Sequence, residues 1–522
     1  MKDRIRFGNH LTELRKMRGL SQAQLGALLG VTDKAVSKWE NARAMPDSRI
    51  LARLSELLGV TADDLLATRL ADRQGEEAGR PNRAAEREKA LRAKCRDRME
   101  DRFGGNPPPE AVSRLFAEEQ LLRAGTGNSG LPGRLFLLDT TEAFFGKLRE
   151  RGCRASLFLP AGAEWSAFLL GASDVDPLPP HAFCPSCRHV EFVRSAEGTR
   201  VRSGWDLPAI RCRKCGKPMI RDGQDLSFGA AAYRPLADIR IDLTGIRDPV
   251  KCLADLLGDC LWTAFRRRGE GPDCPTVRIA VLQEEARYML PGGWETRRPE
   301  DRVLPTEEYF GRFEAYPLFC LADSGLMRKL RLLEEATGMP AERVPFSVPE
   351  VLEALLRGVP GTEFLPFLSL SPVKQAMEKA EARTWADLIS LAGLMHGTGT
   401  WRGNGEERAA AGEPLSSLVS FREDVYEAVR EKLVDRGIAD DGLAREVMEN
   451  ARRGRYEKYG MDGGTARLLA ELGLGEAFIR SVSRVKYLFP KICAVRQIRW
   501  EATLMWYALR SPDAFRKVMK SG

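Results

Sequence analysis

Two Cys-x-x-Cys pairs, Cys184-Pro185-Ser186-Cys187 and Cys212-Arg213-Lys214-Cys215, constrain this chain more than any other feature of it. Each is a tight knuckle. The two lie near enough in sequence to close one tetrahedral four-thiolate site, for which zinc is the expected metal. Four sulfur ligands leave no open coordination position, so the expected role is structural, with thiolate binding supplying folding free energy on the order of 10 kcal/mol. A redox role is the weaker reading, because neither pair follows the strand-to-helix context of a thioredoxin motif. His181 and His189 flank the first pair as spare ligands. The total of 11 cysteines is odd, and four of them form these two tight pairs, which in a reducing compartment points to metal rather than a disulfide frame. Met1-Lys2-Asp3-Arg4 opens no apolar segment, and no apolar run approaches ~20 residues, so neither a signal peptide nor a membrane span is expected. The expected location is cytoplasmic and nucleoid-associated.

A chain of 522 residues, 43% hydrophobic, has ample material for ordinary cores, and its length predicts about three or four domains. Lys+Arg of 81 against Asp+Glu of 73 is a mild basic excess that suits nucleic acid without demanding it.

Residues 1–68 repeat leucines at helical spacing in short blocks punctuated by Gly19, Gly30, Pro46 and Gly59, which predicts four or five short helices. Ser21-Gln22-Ala23-Gln24 reads as a capping box opening the second helix, and Thr32 caps a third that runs to about Glu40. The turn at Gly30-Val31 is short, as a helix-turn-helix requires. On the third helix Ala35, Val36 and Trp39 should face inward, leaving Asp33, Lys34, Ser37, Lys38 and Asn41 on a polar face suited to the major groove. These blocks resemble the Cro/C1 (XRE) type of helix-turn-helix domain. The resemblance implies that Gln22 contacts phosphate, that Lys34, Ser37 and Lys38 read bases, and that Asn41 and Arg43 lie near the DNA backbone. A protein-interaction module with a solvated charged face is the competing reading. One such domain reads one half-site of double-stranded DNA, so useful affinity implies a homodimer or a second DNA contact. Residues 69–90, charged and broken by Gly75, Gly79 and Pro81, read as a tether.

Ala237-Asp238-Ile239-Arg240-Ile241-Asp242-Leu243-Thr244 alternates charged and aliphatic residues, which predicts a strand with one polar face. Paired carboxylates on such a face can hold the Mg²⁺ ions of nucleotidyl transfer, but Arg240 places a fixed positive charge between them. Around the cysteine pairs, Asp176-Pro177-Leu178-Pro179-Pro180-His181, Ser203-Gly204-Trp205-Asp206-Leu207-Pro208 and Asp222-Gly223-Gln224-Asp225 precede this strand. Further on come Met395-His396-Gly397-Thr398, Trp401, Gly403-Asn404 and Lys486-Tyr487-Leu488-Phe489-Pro490-Lys491. In this order they resemble the palm and fingers of PolC-type DNA polymerase III alpha subunits, from about Leu91 to Ala514. The resemblance breaks where the chemistry would be. The family's serine- and glycine-rich triphosphate loop is replaced by Ser156-Leu157-Phe158-Leu159-Pro160-Ala161-Gly162-Ala163-Glu164. The second palm aspartate is replaced by Arg240, and the third by Cys320. Where the family has a histidine after Phe-Pro-Lys, this chain has Cys493.

The expected fold is therefore multidomain α+β: a helix-turn-helix over 1–68, a tether over 69–90, a degenerate palm over 91–345 holding the zinc module (181–222), and an all-α region over 346–522. Helices are predicted at Val348–Leu356, Pro372–Glu381, Trp385–Leu394, Val425–Gly437, Leu443–Arg453 and Phe478–Leu509. His396 reads as a loop-structuring residue rather than a catalytic one. Arg484, Lys486, Lys491, Arg496 and Arg499, interleaved with Tyr487, Phe489 and Trp500, form either a nucleic-acid-facing surface or a solvated one.

The functional expectation is a sequence-specific DNA-binding regulator or scaffold whose polymerase-like region is catalytically inactive. The alternative is an active DNA-directed polymerase with a rearranged Mg²⁺ site that uses Asp238 and Asp242 with Glu314 or Asp323. A third reading makes the body a decoy or sensor for replication proteins.

Overall fold

A computed structural model describes residues 7–8, 11–12, 14–15, 20–47, 50–51, 53–54, 57, 83–126, 134–160, 163–193, 201–227, 236–241, 248–257, 261–265, 276–282 and 318–521. The chain divides into two compact units, one of Met1–Lys89, Asn128–Pro132 and Leu257–Pro317, the other of Ala90–Gly127, Gly133–Leu256 and Leu318–Gly522.

In the first unit, helices α1 (Gln22–Leu29) and α2 (Asp33–Glu40) form as their end signals predict. Ser21 Oγ accepts from the Gln24 N–H at 3.1 Å while Gln24 Oε1 accepts from the Ser21 N–H at 2.8 Å, a closed capping box. Gly30 ends α1 in the left-handed region at φ 73°, and Thr32 Oγ1 accepts from the Ala35 N–H at 3.2 Å to start α2. Gly26 lets the turn close on α1, since a Cβ there would lie 2.8 Å from the Val31 carbonyl oxygen. Phe7, Leu11, Leu14, Leu25, Leu29, Val36, Trp39 and Leu54 make the core. The same unit holds an antiparallel pair, β6 (Leu261–Phe265) with β7 (Thr276–Leu282).

The second unit holds helix α3 (Arg83–Phe103) from Ala90 onward, together with α4 (Pro109–Thr126) and α5 (Arg134–Glu150). Helix α3 starts within the segment expected as a tether, because Ala84, Ala85 and Ala90 favour helix there; residues 69–82 lie outside the described residues. Strands β1 (Ala155–Pro160), β5 (Leu236–Ile241) and β8 (Leu318–Asp323) lie side by side with β5 central, antiparallel to β1 and parallel to β8. Ile239, Phe319 and Leu321 are fully or almost fully buried. The short helix α6 (Trp165–Leu169) follows β1. A separate small sheet runs in the order β3 (Val190–Phe192), β2 (His181–Phe183), β4 (Ile220–Asp222) and carries the cysteine knuckles.

From Gly325 onward the chain is helical: α7 (Gly325–Thr337), α8 (Pro349–Arg357), α9 (Ser371–Lys379), α10 (Trp385–His396), α11 (Arg422–Val434), α12 (Gly442–Arg452), α13 (Gly463–Glu471), α14 (Glu476–Arg484), α15 (Lys491–Arg510) and α16 (Pro512–Lys520), with shorter turns between. The single helix expected over Phe478–Leu509 is two, α14 and α15. The break falls at Val485–Pro490, where proline lacks the N–H a continuing helix needs. Helix α15 runs through the main core, with Ile492, Val495, Ile498, Leu504 and Tyr507 fully buried. Trp205, Phe346 and Trp385 meet edge to face in that core, 4.9 to 6.4 Å between ring centres.

Two long-range carboxylates order the helical body. Asp206 accepts from the N–H groups of Trp385 (2.7 Å) and Ala386 (2.9 Å), capping α10 from 179 residues upstream. Glu501 on α15 accepts from Phe367 N–H (2.6 Å), Leu368 N–H (2.9 Å) and Gln497 Nε2 (2.7 Å). Burial pushes Glu501 up to about 7 from the usual 4.5. A carboxyl raised on folding contributes stability below its unfolded value that is lost as pH rises through about 7. Glu501→Gln, which mimics the protonated form, is therefore expected to flatten the pH dependence of thermal stability between about pH 5 and 8, removing on the order of 3 kcal/mol of variation. An unchanged profile would refute this origin.

Candidate metal centre, strand site and nucleic-acid interface

The knuckles are built from two copies of one local turn. Arg188 N–H donates to the Cys184 carbonyl and Gly216 N–H to that of Cys212, both at 2.8 Å, and the residue after each second cysteine is left-handed, φ 61° at Arg188 and 71° at Gly216. Cys184 N–H reaches the His189 carbonyl and Cys212 N–H that of Lys217, both at 2.8 Å, closing each loop onto its own strand. The four Sγ atoms lie within 4.8 Å of one another, with Cys184–Cys215 and Cys187–Cys212 both at 3.4 Å. A tetrahedral metal with ~2.3 Å bonds to sulfur needs S–S edges of about 3.8 Å, so the donors fit zinc with small adjustment. The Cys187 N–H pulls the Cys184 thiol down to about 6, while burial and the neighbouring thiols push Cys187 up to about 12 and raise Cys215.

The spare histidines are engaged elsewhere. Buried His181 places Nδ1 2.9 Å from the Pro179 carbonyl and Nε2 3.6 Å from Asp176 Oδ2, while His189 faces Glu191 at 3.2 Å. The cysteine quartet is the one metal-competent cluster of its kind among the described residues.

On the strand site, the parallel register sets Asp238 beside Cys320 and Arg240 beside Ala322, with Ser156 across from Arg240 on the other side. The two positions where the polymerase resemblance expects further aspartates thus hold half-buried Arg240 and Cys320, next to Asp238 in the sheet. The side chain of Asp238 and all of Asp242 and Glu314 lie outside the described residues. Asp323 sits 3.8 Å from Arg328. Residues 156–160 of the segment aligned with the triphosphate loop lie in strand β1, whose backbone pairs with β5, interrupted by a bulge between Leu157 and Leu159. Beyond it, the first N–H groups of α6 are already taken: Glu118 accepts from Trp165 N–H (2.7 Å), Ser166 N–H (3.0 Å) and Ser166 Oγ (3.0 Å), itself held by Arg114 at 2.7 Å.

On α2, Val36 and Trp39 are buried and Ala35 half-buried, while Asp33, Lys34, Lys38 and Asn41 are exposed and Ser37 half-exposed. Asn41 Nδ2 donates back to the Ser37 carbonyl (2.8 Å) and Oγ (3.3 Å), and Arg43 is exposed just beyond. Gln22 is oriented by a network absent from the sequence expectation: its Nε2 donates to Glu40 Oε2 at 2.8 Å, and the same carboxylate receives Arg15 Nη2 at 3.0 Å. Burial acts to raise Glu40, but the bonds from Arg15 and Gln22 hold it below the usual carboxylate range. The available signal was its helical spacing from Val36, which puts Glu40 on the inner side of α2.

The basic surface expected near the C-terminus dissolves in the fold. Arg496 is fully buried against Ser173 (2.9 Å) and Asp174 (3.5 Å). Arg499 pairs with Asp174 at 3.3 Å, and Lys491 donates to the Asp225 carbonyl at 3.2 Å. Only Arg484 and Lys486 of the five remain exposed, because α15 is enclosed in the core. His396 lies stacked between Phe367 and Phe489, ring centres 4.9 and 4.7 Å away, and burial lowers its pKa. That environment is a structural one.

Comparison with known proteins agrees with these two parts. A helix-turn-helix family model matches residues 11–65. PolC-type DNA polymerase III of Streptococcus pyogenes serotype M6 (strain ATCC BAA-946 / MGAS10394) is 23% identical over 472 aligned residues, covering 78% of this chain and 31% of the polymerase. The proteins of the same name from serotype M5 (strain Manfredo) and serotype M1 give the same figures. The chain spans about a third of the length of these relatives. It therefore carries a helix-turn-helix segment near its N-terminus and, over most of its length, similarity to part of PolC-type DNA polymerase III.

Proposed function

We propose that this protein is a sequence-specific DNA-binding regulator or DNA-associated scaffold whose PolC-like region does not transfer nucleotides. The observation that carries the reading is the split of α2 into a buried face and an exposed face of Lys34, Ser37, Lys38 and Asn41, preceded by an oriented Gln22. Such a helix inserts its polar face in the major groove, with Gln22 and Arg43 on the backbone. The cysteine quartet holds one structural zinc, and a homodimer on a two-fold operator supplies affinity. Two-metal nucleotidyl transfer needs several hard oxygen ligands, and Arg240 and Cys320 beside Asp238 do not supply them. The similarity to PolC-type polymerases favours a second reading, an active polymerase with a shifted Mg²⁺ site at Asp238 and Asp242.

Two assays on the full chain separate these readings. Lys38→Ala should weaken binding to a selected duplex by roughly 5- to 100-fold, the value of a base contact; undiminished, sequence-selective binding would refute the assignment. Primer extension in Mg²⁺ or Mn²⁺ should yield no incorporation, and Arg240→Asp should not restore it, because groups that act as a unit fail together. Incorporation by the parent that Asp238→Asn abolishes would establish the polymerase.

A further inference from the structure

The zinc module exposes more positive charge than its own chemistry uses. Residues 181–193 and 209–221 contain six cations, Arg188, Arg211, Arg213, Lys214, Lys217 and Arg221, against one acid, Glu191. Arg221 is half-buried and spends its guanidinium on the Leu207 and Ser347 carbonyls. The other five are exposed on the two knuckle turns. Among the described residues Arg188 and Arg211 donate only to backbone carbonyls, those of Asp101 and Gly216, and meet no carboxylate. Arg213, 85% exposed at its side chain, has Glu191 at 3.5 Å. Lys214 and Lys217 form no ion pair among the described residues.

Cations beside a four-thiolate metal often serve only to offset its charge, which is about −2 with zinc bound. Here that need is met in other ways. The N–H groups of Ser186 and Cys187 point at the Cys184 sulfur, that of His189 at Cys187 and that of Lys217 at Cys215. The five cations also outnumber the charge to be offset and point into solvent. We infer that this knuckle surface is a second DNA contact of the protein, one that grips the phosphodiester backbone without reading sequence. The knuckles fix the backbone that carries these charges, so little loop ordering is spent on contact. The inference stands apart from the helix-turn-helix reading, and one half-site reader with a separate backbone grip gains affinity by effective concentration.

The test uses the full zinc-loaded chain and a fluorescent duplex of arbitrary sequence, with anisotropy read from about 50 to about 200 mM salt. The variant R211Q/R213Q/K214Q/K217Q should bind roughly tenfold or more weakly, and its plot of log affinity against log salt should be shallower by about 3 to 4. Elemental analysis should still find the parent's zinc content, since all four side chains are exposed. R211K/R213K keeps the charge and should bind like the parent. K34A/K38A, which disables the α2 face, should retain salt-dependent binding. Unchanged affinity and slope in the glutamine variant would overturn the inference, as would loss of all binding in K34A/K38A. Displacement of the duplex by polyglutamate at matched charge would assign the surface to an acidic protein instead. Sequence-selective binding by K34A/K38A equal to the parent's would refute the α2 reading alone.

Discussion

Replacing Cys212 by serine is expected to lower the zinc content from about one per chain to near zero and to unfold the sheet β3–β2–β4. Cys212 is 2% exposed and one of four sulfurs that converge on a single point. The sheet has three-residue strands and a small apolar cluster of Ala182, Cys184, Cys212 and Met219, with Ile210 against it. That is too little apolar surface to offset backbone entropy of about 1–2 kcal/mol per residue. Metal binding, on the order of 10 kcal/mol, must therefore make up the difference. The readouts are elemental analysis after gel filtration and the emission of Trp205, whose indole N–H donates to Asp222 at 3.1 Å at the edge of the sheet. Cys95→Ser is the control. That thiol is buried, pushed up to about 12 mainly by burial, and lies outside the cysteine quartet. It should keep the metal and cost only about 1–2 kcal/mol. Full zinc in Cys212→Ser would exclude the four-thiolate centre.

Glu40→Ala is the second large effect, expected to destabilise the helix-turn-helix by about 3 kcal/mol. The side chains of Arg15 and Glu40 are 10% and 5% exposed, so the truncation leaves a guanidinium buried without its carboxylate. It also frees Gln22, which loses its acceptor at 2.8 Å. DNA affinity should therefore fall further than stability alone explains, and the Arg15→Met/Glu40→Leu pair should recover stability but not affinity, since Gln22 stays unheld. The parent should lose this contribution in acid. Glu40 is held below its ordinary value, so its stabilisation is present above the unfolded carboxylate range and disappears as pH falls through the lowered one. Thermal unfolding followed by Trp39 fluorescence tests both points; an unaltered midpoint in Glu40→Ala would show that Arg15 finds another partner.

Much of this protein is legible in its sequence. Local signals decided local structure: the capping box at Ser21, the turn at Gly30 and the cap at Thr32 reappear at the same residues, as do the two cysteine knuckles. These features depend on contacts between residues a few positions apart, and chain proximity alone settles such contacts. The strand through Asp238 and Arg240 was visible in its period of two for the same reason.

Distant partners were not visible. The sequence shows Arg496 and Arg499 only as cations beside aromatic residues, and nothing local says that Asp174, more than 300 residues earlier, would draw both inward. Nor could it show that Glu118 would cap α6, Asp206 cap α10 or Glu40 hold Gln22, because each pairing forms only when packing brings separate elements together. A charged residue's sign and spacing set what it can do. Whether it meets water, a helix end or an opposite charge depends on the desolvation imposed by the whole fold, and that is a property of the tertiary structure.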